Sequence, residues 1–93
     1  MGLDKKELII ECERLHSFLE NNQLVQANAI NQKLESMSLN KIKEEADPAK
    51  MDEHLLWKPF RCTLRIKGAI LSGKTDAARI EAESLTSMLR VLP

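Results

Sequence analysis

The stretch FRCTLRIKGAILSG, residues 60–73, decides the fold. Phe60, Cys62, Leu64 and Ile66 alternate with Arg61, Thr63, Arg65 and Lys67, the period of a strand with one wet face. Wound as a helix, the same letters put Phe60, Leu64 and Leu71 on one side, with Cys62, Ile66, Ala69 and Ile70 beside them. The choice carries a functional consequence. GAILSGKT, Gly68 to Thr75, fits the phosphate-loop pattern G-x-x-x-x-G-K-[ST], whose backbone N–H groups cradle phosphates at a helix N-terminus. That loop needs a strand before it. In the helical reading Gly73 is a left-handed C-cap, Lys74 is a solvated turn residue, and Thr75 caps the next helix. Ile70 and Leu71 are core in this reading and loop in the other.

Helix is the expectation for 60–71. No other segment offers a strand to pair with, and a lone strand leaves its backbone groups unsatisfied. Bulky Ile70 fits poorly where a backbone must curl around an anion. Only 18 residues follow Thr75, so no later strand brings a magnesium-binding aspartate. Nucleotide binding through Gly68–Thr75 is therefore a remote alternative.

Working outward, KTDAARIEAESLTSMLRVL reads as a last helix, with Ala78, Leu85, Leu89 and Leu92 on one face and Ile80 and Met88 near it. Upstream, LDKKELIIECERLHSFLENN reads as a first helix. Asp4 and Glu7 form a capping-box pair, and Leu8, Cys12, Leu15 and Leu19 form a stripe widened by Ile9 and Phe18. Asn21-Asn22 ends it, and Ala27, Ile30, Leu34 and Met37 mark a second, antiparallel helix. NKIKEEADPAK is the most polar stretch and reads as a loop. Asp47-Pro48 then opens a short helix carrying Leu55, Leu56 and Trp57, which Pro59 breaks or bends. The fold expected is an all-α four-helix bundle of two antiparallel hairpins, one domain over 1–93. Hairpin one covers 4–39, a polar loop 40–47, and hairpin two 48–92, with an extra short helix near 48–57. A shift of 51 residues lays 15–37 over 66–88, with Ala27 on Ala78, Leu34 on Leu85 and Asn22 on Gly73.

Composition agrees. The 93 residues are 43% apolar and 30% charged, with three aromatics and no tyrosine, a mix that suits packed helices. The net charge is zero but divided: residues 1–53 carry −4 and 54–93 carry +4. Two cysteines make no disulfide framework, the N-terminus lacks a signal peptide's apolar core, and no apolar run is long enough for a membrane span. Lys6 stands where a myristoylation signal wants Ser or Thr. A cytoplasmic, reducing setting is expected.

The chemistry-bearing residues are sparse. Cys12 and His16 at i, i+4, with His54 and Cys62 elsewhere, could in principle hold zinc, but the tight paired spacing of structural sites is missing. No nucleophile signature accompanies either cysteine, so neither an enzyme nor a cofactor is expected. Met37, Met51 and Met88 read as gap-fillers. The strongest surface candidate is WKPFRCTLRIKG: Trp57, Lys58, Phe60, Arg61, Arg65 and Lys67 as a partner-binding set. The function expected is a non-catalytic protein-interaction module, an adaptor, chaperone or regulator. Its partner is another protein or a second copy, since the tail MLRVLP also needs covering. The alternative is a small nucleic-acid-binding regulator using the basic segment 58–74.

Overall fold

A computed structural model describes residues 5–93. The chain forms α1 (Lys5–Glu20), α2 (Leu24–Glu45), a 3-10 segment (Pro48–Glu53), α3 (Trp57–Leu71) and α4 (Thr75–Arg90), with no strand among the described residues. The stretch that posed the question is helical throughout. Cys62, Thr63, Ile66 and Ile70 point into the core, and Thr63, the polar member, returns its hydroxyl to the Phe60 carbonyl at 2.6 Å. The apparent alternation arose because Leu64 and Phe60 lie off the core-facing side.

Both hairpins turn in the same way. After α1, Gln23 N–H bonds the Phe18 carbonyl at 2.8 Å and Asn22 N–H bonds Leu19 at 3.1 Å. After α3, Lys74 N–H bonds Ala69 at 2.8 Å and Gly73 N–H bonds Ile70 at 3.1 Å. Each pair is a Schellman motif, closed by a residue in the left-handed region: Asn22 at φ 56 and Gly73 at φ 71. The two turns lie side by side, where the Thr75 hydroxyl reaches Asn22 Oδ1 at 3.5 Å. At the other end Lys5 Nζ donates to the carbonyls of Arg90 (2.9 Å) and Leu92 (2.7 Å), placing a cation on the negative end of α4. These two ties make α1 and α4 antiparallel and give an up-down-up-down bundle. Each helix packs chiefly on its two neighbours.

The echo at 51 residues is a structural repeat. The buried residues of α1 are Leu8, Glu11, Cys12, Leu15 and Leu19; those of α3 are Pro59, Cys62, Thr63, Ile66 and Ile70, each 51 further on. Ala27, Asn31, Leu34 and Ser38 of α2 correspond likewise to Ala78, Ala82, Leu85 and Leu89 of α4. Even the cross-helix polar contacts correspond. Asn31 Nδ2 donates to the Thr63 carbonyl at 2.9 Å, and the Cys12 thiol faces the Ala82 carbonyl at 4.0 Å. The bundle has an approximate twofold axis along its length.

Four expectations are corrected. The polar loop 40–47 is mostly helix: α2 runs to Glu45, anchored by fully buried Ile42, while its exposed Lys and Glu residues are good helix formers. Pro59 does not break α3. It sits in the first turn, where its missing N–H is no loss, and its ring is buried. Thr75 is the first residue of α4 and not its cap; Lys74 holds that place with no side-chain bond to the backbone. The tail is largely covered by its own chain, with Leu89 and Leu92 buried and Val91 exposed. The capping role of Asp4 and the Gly2 position lie outside the described residues.

The short extra helix expected near 48–57 is present as the 3-10 segment, over Pro48–Glu53. Asp47 Oδ1 accepts from Ala49 N–H at 3.0 Å and Pro48 follows as its first residue, as the Asp-Pro pair implied. His54 then joins the two hairpins. Its Nδ1 accepts from Leu56 N–H at 3.0 Å, so its Nε2 carries the proton and donates to Glu45 Oε1 at 2.8 Å. That bond holds the Glu45 carboxyl below its ordinary range.

Candidate functional site

Buried positions of α3 define its inner side, and the rest of the helix is presented outward. Down the outermost line run Arg61, Leu64, Gly68 and Leu71, all exposed, with Trp57 half-buried at the top. Leu71 is 70% exposed and Leu64 44%. The Trp57 and Phe60 rings lie 5.6 Å apart, tilted by 41°, both half-buried against the end of the core. Trp57 is thus part core lid and part surface.

The predicted basic set separates into two flanks. Lys58, Arg61 and Arg65 converge on the α4 side, where with Met88 they line a depression of about 260 Å³. Lys67, two residues past Arg65, is roughly half a turn away on the α2 side. Arg65 is already engaged: its Nε meets Glu81 Oε2 at 3.0 Å, half-exposed. Lys58, Arg61 and Lys67 have no ion-pair partner among the described residues. The surface that results is an apolar line beside a cationic flank.

The twofold repeat shows which of these residues the fold requires. The buried positions of α1 and α3 agree between halves, although Ile30 of α2 falls on Glu81 of α4; the outward positions of α1 and α3 do not agree. The counterparts of Lys58, Arg61, Leu64 and Leu71 on α1 are Glu7, Ile10, Glu13 and Glu20. A helix in the same structural position puts glutamates where α3 has its exposed leucines, and its exposed apolar residue, Ile10, stands instead where α3 has Arg61. The apolar and cationic character of α3 is therefore not imposed by the bundle.

The other candidates are scattered by the fold. Gly68-Ala69-Ile70-Leu71 is the last turn of α3 and Ser72-Gly73-Lys74 the Schellman turn, so the phosphate-loop letters form helix, turn, helix. Ile70 is 7% exposed, as the core reading requires, whereas Leu71 is not core at all. Cys12 and His16 both meet the Thr86 hydroxyl, at 3.0 and 3.1 Å, while Cys62 donates to the Glu81 carbonyl at 3.2 Å and His54 holds Glu45. These are three separate neighbourhoods, and no cluster of three or more His, Cys, Asp or Glu is placed for a metal among the described residues. Burial pushes the Cys62 thiol up to about 11, helped by its bond to the Glu81 carboxylate. Burial raises the Cys12 thiol as well. Beside Cys12, a polar groove of about 500 Å³ runs between Glu13, His16 and Glu20 of α1 and Glu83, Thr86 and Arg90 of α4.

No protein-family model, curated protein or solved structure matches the chain. Among the described residues no helix is long and apolar enough to cross a membrane. Reading the sequence alone missed Leu64, Gly68 and Leu71 as surface residues, whereas Met88 packs against the core as a gap-filler should. The signal was available for the leucines: the 51-residue shift lays Leu64 on Glu13 and Leu71 on Glu20.

Proposed function

We propose that the protein is a non-catalytic helical interaction module, an adaptor, chaperone or regulator, that binds another protein through the outer face of α3. One observation carries the reading: two well-exposed leucines, Leu64 and Leu71, stand in line with Trp57 and beside Lys58 and Arg61, where the equivalent helix of the other half is acidic. Exposed apolar groups aligned on one face and rimmed by charge are the signature of a contact surface. The buried, protonated thiols support a binding role over nucleophilic chemistry, and two free cysteines suit a reducing, cytoplasmic setting. A homodimer is the less favoured partnership. The tail is already covered, and α3 carries no acidic residue to meet the cations of a second α3.

The nucleic-acid reading is weakened by the division of its cations. Arg65 is paired with Glu81, Lys67 is on the far flank, and phosphates would leave the leucines unmatched. The test compares wild-type protein with the double variant Leu64→Glu, Leu71→Glu as bait in nuclease-treated lysate. A stoichiometric protein retained by the wild type and lost by the variant is expected, with both baits equally folded by circular dichroism. Retention by both baits, or capture only when nucleic acid is intact, overturns it.

A further inference from the structure

Gly68 is out of place in α3. After proline, glycine is the most costly residue to hold inside a helix, because it surrenders the most backbone freedom. A local need normally explains such a residue: a left-handed angle, or a neighbour too close for a Cβ. Gly68 has neither. It is exposed, its backbone is helical, and a Cβ built on it meets nothing within 4 Å. Gly73, by contrast, is accounted for by its φ of +71. Nothing among the described residues uses the space above Gly68.

That space is the centre of the exposed apolar line. Leu64 and Leu71 lie on either side of Gly68 at helical spacing and form the walls of a notch one residue wide. Helices pack with axes 8–10 Å apart depending on the side chains between them, and a glycine at the crossing allows the closest approach. Toward the N-terminal end of the same face, Lys58, Arg61 and Arg65 surround the 260 Å³ depression floored by Met88. A side chain entering there meets cations on a soft apolar floor.

We infer that α3 receives an amphipathic helix of a partner protein, crossing at Gly68 between Leu64 and Leu71, with acidic residues on the flank that meets Lys58 and Arg61. The apolar seam demands a leucine-type stripe on the partner, and charge complementarity demands glutamate or aspartate beside it. The inference rests on the reading that α3 is a protein-binding face and adds the chemistry of what binds.

The test uses the full chain and two synthetic helical peptides without tryptophan. Both carry the same leucine stripe on an alanine background; one has flanking glutamates and the other flanking lysines. Trp57, the only tryptophan, lies on the face and reports binding through its emission. The glutamate peptide is expected to bind at least roughly tenfold tighter at low salt, with the margin shrinking as salt rises. Gly68→Leu is expected to cost roughly tenfold or more in that affinity while leaving the urea midpoint unchanged or higher, which separates a filled notch from a damaged fold. Equal binding of both peptides overturns the acidic chemistry and leaves the protein-binding face standing. Failure of both peptides to bind, or an affinity indifferent to Gly68→Leu, overturns the notch, and the lysate comparison then decides the broader reading separately. Tighter binding of a random-sequence DNA oligonucleotide, or a concentration-dependent dimer in sedimentation, replaces the partner helix by nucleic acid or by a second copy.

Discussion

Two glycines five residues apart should respond to alanine with opposite signs. Gly68 is helical, exposed and unobstructed, so Gly68→Ala adds only a better helix former and a less flexible unfolded chain. The gain is about 0.5–1 kcal/mol. Gly73 is equally unobstructed, but its φ is +71. A Cβ there costs about 1–2 kcal/mol of left-handed strain, offset by about 0.4–1 kcal/mol from the unfolded state, for a net loss near 1 kcal/mol. For a chain of this size each kcal/mol moves the thermal midpoint by about 4–8 °C. Urea and thermal unfolding followed by circular dichroism should therefore place the two variants on either side of the wild type, several degrees apart. Gly73→Asn makes the assignment sharper. It copies Asn22, which occupies the matching turn at φ 56, and should cost less than alanine does. Loss of stability in Gly68→Ala would refute the helical geometry and return Gly68–Thr75 to the status of a loop. Indifference at Gly73 would refute the left-handed turn.

Other expectations follow from the same geometry. Ile66→Ala should cost about 2–5 kcal/mol by opening a core cavity, and Leu64→Ala less than about 0.5 kcal/mol; equal costs in denaturant titrations would contradict the helical assignment of 60–71. With its thiol at about 11 against an ordinary 9.0, Cys62 should carry roughly one hundredth of the usual thiolate at neutral pH and alkylate correspondingly slowly. Mass spectrometry should find it labelled with iodoacetamide only in denaturant, and rapid labelling of the folded protein would count against its burial. Glu45 is held below its ordinary value of 4.5, so its contribution to stability is complete above that pH and lost as pH falls through the depressed value. The small stability difference between wild type and Glu45→Gln at neutral pH should vanish in acid, and a difference that grows on acidification would reverse the assigned sign.

The hairpin turns were legible in the sequence, because Asn22 and Gly73 are among the few residue types that adopt positive φ and each follows an apolar stripe. The stripes of α1 and α4 were too, since each has a polar opposite face against which the core side stands out. The C-terminal part of α2 was not: between Met37 and Glu45, Ser38 and Ile42 alone are fully inward, and one isoleucine in a charged run cannot be told from a loop by spacing. Nor was the orientation of α3 settled by spacing. It is apolar on two sides, and periodicity selects a period without selecting which side faces inward. Pro59 misled because a proline reads as an interruption until its place in the first turn is known. The cations of α3 are neighbours in sequence but not on the surface, since half a helical turn separates Lys67 from Arg65.

Two matching junctions at one end of the bundle make chain order interchangeable. Lys5 joins the start of α1 to the end of α4, and the connector from Ala46 to Leu56 joins the end of α2 to the start of α3; the twofold axis relates these two junctions. A gene recut so that α3 and α4 are translated first, with a short linker from α4 into α1 and the connector left open, would encode the same four-helix arrangement. Its two halves would simply have exchanged places in the order of synthesis.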